Sequence, residues 1–324
     1  MSVYAIDSSK YKLPATEEIR SELDPKSGLL YSGKGHYPEC RVSTAYDVFR
    51  RLPVAKSIVK ADSSEREEAK VLLPFIPLGS VLLFDRGYPS YGLILYLQDN
   101  YEGHFVFRCP AASTFPAVKD FLKAKLAEGF VWITPSDKYL AKHPIRKEGK
   151  AKTLRLRVIK LVSPDGTVSV LVTNLFDQRK FPKEDIIKLY FRRWEIEVFY
   201  RDEKTVLEIE KFHGKTCNSI YQELFAAAIM TVIARNLMVI ASELSEPKTS
   251  EYQLKNAIMT LASEMAVLAP DDPQKAAEIF TEIIEEISRV KYYRPKSPRA
   301  SRPRVTKRAP NRWCYEKRRK LASP

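Results

Sequence analysis

A chain of 324 residues, 44% of them hydrophobic, can bury at least one full core, and its longest apolar run, Leu224 to Ala241, is interrupted by Arg235 and Asn236, which suits a core helix better than a membrane span. The net charge of +14 is uneven, because Lys291 to Lys320 hold thirteen basic residues and one acidic one, so the rest of the chain is nearly neutral. Cys40, Cys109, Cys217 and Cys314 are scattered, which excludes a zinc-ligand spacing and a disulfide framework and fits free thiols in the cytoplasm.

In chain order, "SVYAID" reads as a buried strand within the first seven residues, and "SVLLFDRGY" repeats the design: an apolar run, Val81 to Phe84, then Asp85, then a turn with Gly87. In both, the carboxylate is expected at the C-terminal end of an apolar strand, the edge of an open α/β sheet where ligands and catalytic groups collect. Between them lie strand-like stretches at Cys40 to Val48 and Val54 to Val59, then a helix from Ser63 to Leu73 that Pro74 closes. A helix near Pro89 to Leu97 and the strand "HFVFRC" follow. From Cys109 to Asp177 the character shifts to β structure, with "LRLRVIKLV" and "VSVLVTNL" flanking the turn "SPDGT" as a hairpin. Trp132 in "GFVWITP" reads as a packed aromatic of this piece. The next segment begins a helix at Pro182, with Glu184 and Asp185 at the favourable end of its dipole. Further helices span Ile220 to Leu244, Glu251 to Leu268 and Pro273 to Val290, before a basic tail rich in Arg, Pro and aromatics that suits a polyanion, nucleic acid above all. His213 and Gly214 read as a turn, with no partner for a catalytic triad.

Four acids crowd the segment "YFRRWEIEVFYRDEK": Glu195, Glu197, Asp202 and Glu203. At about 100° per residue on one continuous helix, Tyr190, Arg193, Glu197 and Lys204 share a stripe of about 60°, with Trp194 beside it, while Glu195, Asp202 and Glu203 point elsewhere. A ladder of exposed salt bridges would explain Arg193 and Glu197 taken alone. Taken with Asp7 and Asp85, however, Glu197 completes a set of three carboxylates of the kind that binds two Mg²⁺ ions for phosphodiester chemistry. Arg193 and Lys204 would then face substrate phosphates.

These motifs resemble the insertion-sequence DDE transposases of insertion sequence family four, whose signature is Tyr, two residues, Arg, three residues, Glu, six residues, Lys. Tyr190, Arg193, Glu197 and Lys204 match it in full, "AIDSSKYKLP" and "LLFDRGYPSY" look like the two aspartate motifs, and "VLVTNLFDQRKFPKEDI" like the run into the Glu helix. The resemblance implies an α/β fold with an RNase H-like mixed sheet core (1–108 and 179–245), a β-rich insertion (109–178), C-terminal helices (246–290) and the basic tail (291–324). It implies cut-and-paste DNA transposition, with Asp7, Asp85 and Glu197 catalytic and holding two Mg²⁺ ions, for which Mn²⁺ can substitute. Tyr190, Arg193, Trp194 and Lys204 would contact DNA, at transposon ends and target alike, in a homodimer associated with the nucleoid. Two departures stand out. Ser8 follows Asp7 where Gly is common, and only six residues precede Asp7, where relatives carry a DNA-binding region. A silent remnant that binds DNA through its tail, or a nuclease without strand transfer, are the alternatives.

Overall fold

The computed structural model describes residues 1–26, 37–111, 115–143, 152–163, 166–244, 252–264 and 272–291. The basic tail beyond Lys291 and Cys314 lie outside them. The chain divides into two compact units, Met1–Asp24 with Tyr37–Val232, and Pro25–His36 with Ile233–Pro324.

The first unit is built on one eight-stranded sheet. Its strands are β1 (Val3–Lys12), β2 (Glu39–Asp47), β3 (Leu52–Lys60), β4 (Val81–Phe84), β5 (His104–Pro110), β6 (Glu128–Ile133), β7 (Leu154–Val162) and β8 (Val168–Thr173). Their spatial order is β3-β2-β1-β4-β5-β8-β7-β6. β1, β2 and β3 are antiparallel neighbours, and β1, β4 and β5 run parallel. This mixed 3-2-1-4-5 order is the RNase H-like arrangement that the motifs implied. The strands of segment 109–178 continue the same sheet, since β8 pairs antiparallel with β5 and carries β7 and β6 beyond it. The ladder of β7 and β8 is the hairpin expected around "SPDGT", where Gly166 takes φ +80° and supplies the left-handed turn residue.

The helices of this unit are α1 (Glu17–Leu23), α2 (Glu65–Leu72), α3 (Tyr91–Asn100), α4 (Pro116–Lys123), α5 (Asp137–Lys142), α6 (Lys183–Phe191) and α7 (Trp194–Thr205), followed by the start of α8 (Cys217–Leu244). Strand alternation gives the sheet two apolar faces. On one, Tyr4, Ile6, Leu82, Phe84, Phe105 and Phe107 pack with Leu72 of α2 and Leu93, Ile94 and Leu97 of α3. On the other, Val3, Ala5, Val81, Leu83 and Val106 pack with Ile186 and Tyr190 of α6, Ile196 and Phe199 of α7, and Leu224 of α8. Burying side chains such as Ile196 and Phe199 stabilises the docked helix by roughly 1.5–3 kcal/mol each.

α8 is long and apolar enough to cross a membrane by length and composition. It differs from the expected core helix in being buried along one side only: Ile220, Leu224, Ala234 and Ala241 are inaccessible, whereas Phe225, Ile229 and Val239 are exposed. In the second unit, α9 (Leu254–Glu264) and α10 (Pro273–Arg289) pack together, and Asn256 donates to the Glu286 carbonyl at 3.2 Å. Asp272 caps α10 by accepting from the backbone of Gln274 and Lys275.

Candidate functional site

The parallel register of β1 and β4 pairs Val3 with Val81, Tyr4 with Leu82 and Ala5 with Leu83. Extended by two residues, the same register sets Asp7 beside Asp85 on adjacent strands. Asp7 shares its parity with Val3 and Ala5, and Asp85 with Val81 and Leu83, so both carboxylates belong to the sheet face covered by α6 and α7. One expectation is corrected. Asp7 lies within β1 rather than at its end, because the strand runs on to Lys12 in a ladder with β2, and what ends near Asp7 is the pairing with β4. A carboxylate is thereby placed where a continuous strand outruns its parallel neighbour.

Each aspartate spends one oxygen on a backbone N–H just after it. Asp7 Oδ1 accepts from Ser8 N at 2.9 Å, and Asp85 Oδ1 accepts from Gly87 N at 2.8 Å. The Asp85 loop is fastened from α2, whose Arg66 donates to the Gly87 carbonyl at 2.8 Å and the Tyr88 carbonyl at 3.0 Å. Below Asp7, the Ser8 hydroxyl shares a hydrogen bond with Ser43 at 2.7 Å. Ser8 thus joins β1 to β2 through a contact that Gly at this position could not make.

The third carboxylate arrives on a bent support. The single helix expected through Ile186 to Glu208 is two helices, α6 and α7, joined by a tightened turn. Arg192 N donates to Leu189 O, Arg193 N to Tyr190 O, Glu195 N to Arg192 O and Ile196 N to Arg193 O. These are i to i−3 bonds, and a 3₁₀ turn advances about 120° per residue instead of 100°. The stripe drawn on a uniform helix is therefore rotated between Tyr190 and Glu197, and tertiary contacts, not phase alone, set where each of its residues points. Upstream, the fully buried Arg157 of β7 fixes the entry to α6 by donating to the carbonyls of Leu175 and Phe181, both at 2.8 Å.

Arg193 links the carboxylates. Its Nη2 donates to Glu197 Oε1 at 2.5 Å, and its Nη1 lies 3.6 Å from Asp7 Oδ2. The two carboxylate oxygens are thus no more than roughly 9 Å apart, the sum of both contacts and the width of one guanidinium fork. Tyr200, one turn beyond Glu197, donates its hydroxyl to the Asp7 carbonyl at 2.7 Å, pinning α7 to β1. Lys204 reaches Ser9 Oγ at 2.9 Å and the Lys10 carbonyl at 2.5 Å, further along β1. Trp194 stands at the start of α7 and is 51% exposed.

The other three acids of the segment are each occupied elsewhere. Glu195 pairs with Arg51 at 3.1 Å and Asp202 with Arg201 at 3.2 Å. Glu203 is buried against Lys56 at 2.5 Å and accepts from the Tyr11 hydroxyl at 2.5 Å. Phase correctly separated Glu203 from Glu197, but nothing in the sequence announced its partners, which lie 147 and 192 residues away.

Sequence reasoning also missed Arg108. The register of β4 with β5 pairs Phe84 with Phe107, so its extension sets Arg108 beside Asp85, on the face occupied by Val106. Arg108 is held by Ser169 Oγ at 3.0 Å, and burial together with the neighbouring Arg86 lowers its pKa. The Tyr190 hydroxyl and Nε and Nη1 of Arg193 are buried without a well-formed hydrogen bond to the described residues. Tyr190 is nevertheless electrostatically close to Arg193 and Arg108, and burial raises its pKa. Asp7, Asp85 and Arg108 thus stand level on three adjacent strands, faced by Arg193, Tyr190 and Glu197.

Electrostatics at this edge disfavour accumulated negative charge. Burial, followed by the charge of Asp85, pushes the Asp7 carboxyl up to about 7, with Glu197 adding to the shift and Arg193 opposing it. An all-oxygen donor set that strains against its own charge suits a hard divalent cation such as Mg²⁺. The acids are not a tight cage, however. Among the described residues, the group whose ligand atoms all lie within 4.8 Å of one another is Glu18, Glu22 and Cys217. There the thiol is pushed up to about 11 by burial and by the two glutamates, and Glu18 is engaged with the Cys217 backbone N–H at 2.8 Å. His213 occupies the expected exposed turn, its backbone N–H donating to Glu223 at 3.1 Å. Trp132 departs from the expected packed aromatic: it is 58% exposed.

A family model described as "Transposase DDE domain" matches residues 1–233. A relative named putative transposase y4zB, from Sinorhizobium fredii, is 29% identical over 196 residues, covering 60% of this chain and 52% of that protein. Transposase InsG for insertion sequence element IS4, from Escherichia coli, is 23% identical over 321 residues, covering 97% of this chain and 69% of that protein. The match with y4zB thus spans about half of that relative. A cryo-EM structure of the piggyBac transposase synaptic complex with hairpin DNA overlaps 93% of this chain and 60% of its own at 10% identity and a TM-score of 0.48.

Proposed function

The chain belongs to the transposase DDE-domain family, and from that premise we propose that it cleaves DNA at the ends of a mobile element and transfers the freed 3′-OH into target DNA. The observation that carries this reading is the registration of Asp7 beside Asp85 with Arg193 spanning Asp7 and Glu197. Asp7, Asp85 and Glu197 would hold two Mg²⁺ ions, or Mn²⁺ in their place. Bound there, the ions supply activation of an oxygen nucleophile and neutralise charge on the leaving oxygen of a phosphodiester.

The protein's own groups do the rest. The Asp7 carboxyl, raised to about 7, releases its proton when the edge is loaded with positive charge. Arg193 holds Glu197 in place before loading, and its guanidinium, freed from that carboxylate, presents donors to a phosphate. Arg108 and Tyr190 add donors at the same level, while Lys204 and Trp194 extend the contact surface along α7. Duplex DNA is the substrate, and two element ends imply a homodimer. Cleavage of a duplex carrying the element's terminal repeat by the full chain with Mg²⁺ tests the reading. Loss of cleavage in Asp85→Ala and Glu197→Ala supports it, and equal cleavage by those variants refutes it. Cleaved but never joined products would reduce the activity to that of a nuclease.

A further inference from the structure

Away from the carboxylates, on the same face of the sheet, an arginine lies against two neighbouring aromatic rings. Arg155 of β7 shares the parity of Ile159 and Leu161, which face α6 and α7. Its guanidinium carbon lies 4.7 Å from the centre of the Phe130 ring and 5.3 Å from that of Phe176, the rings themselves being 6.4 Å apart. Trp132, directly opposite Arg155 in the β6–β7 ladder, is 58% exposed, and Phe176 is 38% exposed.

No carboxylate neutralises this arginine among the described residues. Glu128, the nearest acid on β6, is committed to Arg157 at 2.6 Å. Asp177 is exposed and caps its own turn, accepting from the backbone of Arg179 at 2.9 Å and Lys180 at 3.0 Å. The exposed run from Phe176 to Lys180 follows directly, with Arg179 and Lys180 outnumbering Asp177 for a net charge of +1. A guanidinium fixed by two rings loses little entropy on binding, and with an exposed indole beside it presents both phosphate donors and a stacking surface.

We propose that Arg155, Trp132, Phe176 and the Arg179–Lys180 loop form a second DNA-contact surface, binding the backbone of duplex DNA away from the carboxylate edge. This rests on the transposase reading above. The ladders place the patch apart from the carboxylates. Ile159 is level with Asp85 through the β7–β8–β5–β4 ladders, three strands across, and Arg155 lies four residues before it on β7, which runs parallel to β4, so the patch is set towards the opposite edge of the sheet from Asp85. With strands about 4.8 Å apart and residues about 3.3 Å apart, the patch is roughly 20 Å from the edge. The expected packed role for Trp132 is replaced by a binding role.

The test measures the affinity of the full chain for a 20-base-pair duplex as a function of salt, for wild type, Arg155→Ala and Phe176→Ala, with sedimentation of each protein alone. Arg155→Ala is expected to weaken binding several-fold at 0.1 M salt and to lower the slope of log Kd against log salt by about 0.9, the value of one lost phosphate contact. Phe176→Ala is expected to weaken binding in the same direction by freeing the guanidinium. Wild-type affinity and slope in both variants would overturn the proposal. So would a change in association state without DNA that accounts for the whole loss, which would make the patch a protein interface. Glu197→Gln in parallel separates the two readings: unchanged cleavage there refutes the assignment of the carboxylates, while the salt slopes still decide the patch.

Discussion

Glu197 and Glu203 sit six residues apart on one helix, yet their replacement by glutamine has opposite consequences. Glu203 and Lys56 retain 1% and 3% of their side-chain exposure and meet at 2.5 Å, with the Tyr11 hydroxyl completing the cluster. Glu203→Gln leaves the Lys56 ammonium buried without a counter-charge, a perturbation of about 3–5 kcal/mol. For a unit of this size that lowers Tm by roughly 10 °C. Adding Lys56→Met removes the stranded charge, while the carboxamide introduced by Glu203→Gln still offers an acceptor to Tyr11, so the double variant recovers most of the loss. Glu197, in contrast, retains 34% of its side-chain exposure in an i,i+4 pair with Arg193, and its replacement costs less than about 1 kcal/mol. The assay is urea denaturation of the four proteins alongside DNA cleavage. Glu197→Gln should unfold with wild type and cleave nothing. Equal stability of wild type and Glu203→Gln, or no recovery in the double variant, would refute the distinction drawn between the two acids.

Three further outcomes follow from the same contacts. Because the Asp7 carboxyl is raised to about 7 in the folded chain, against about 3.8 for the ordinary side chain, its contribution to stability is complete below pH 4 and is lost as the pH rises to 7. Thermal melts of the metal-free protein should therefore show Tm declining over that window, and Asp7→Asn should flatten the decline. Tyr200→Phe removes the donor to the Asp7 carbonyl and should destabilise the fold by about 1–3 kcal/mol, read by denaturation, while slowing cleavage at saturating DNA. Arg108→Ala should lower the cleavage rate with little change in Tm, since its visible partners are two serine hydroxyls at 3.0 and 3.4 Å. A large fall in Tm would mark Arg108 as structural instead.

Much of the site was readable because it is written in local pattern. Two apolar strands each carrying an aspartate, at Asp7 and Asp85, needed only alternation and a turn to be recognised, and the hairpin of β7 and β8 was announced by Asp165-Gly166. What escaped depends on distant pairing. Arg108 matters because β5 lies beside β4 in a particular register, and Glu203 is structural because Lys56 reaches it from β3. The overwound turn at Arg192 and Arg193 escaped because both residues keep right-handed helical dihedrals, so no glycine or proline marks the break. Trp132, expected as a packed aromatic, is exposed because β6 is an edge strand on which Val131 and Ile133 alternate to the other, buried face.

The central claim is that Asp7, Asp85 and Glu197 form one cation-binding edge. The most direct measurement is the anomalous scattering of Mn²⁺ soaked into crystals of the protein. Manganese is expected at the edge formed by Asp7, Asp85 and Glu197. Manganese absent from this edge at saturating concentration, or bound only at Glu18, Glu22 and Cys217, would contradict the claim.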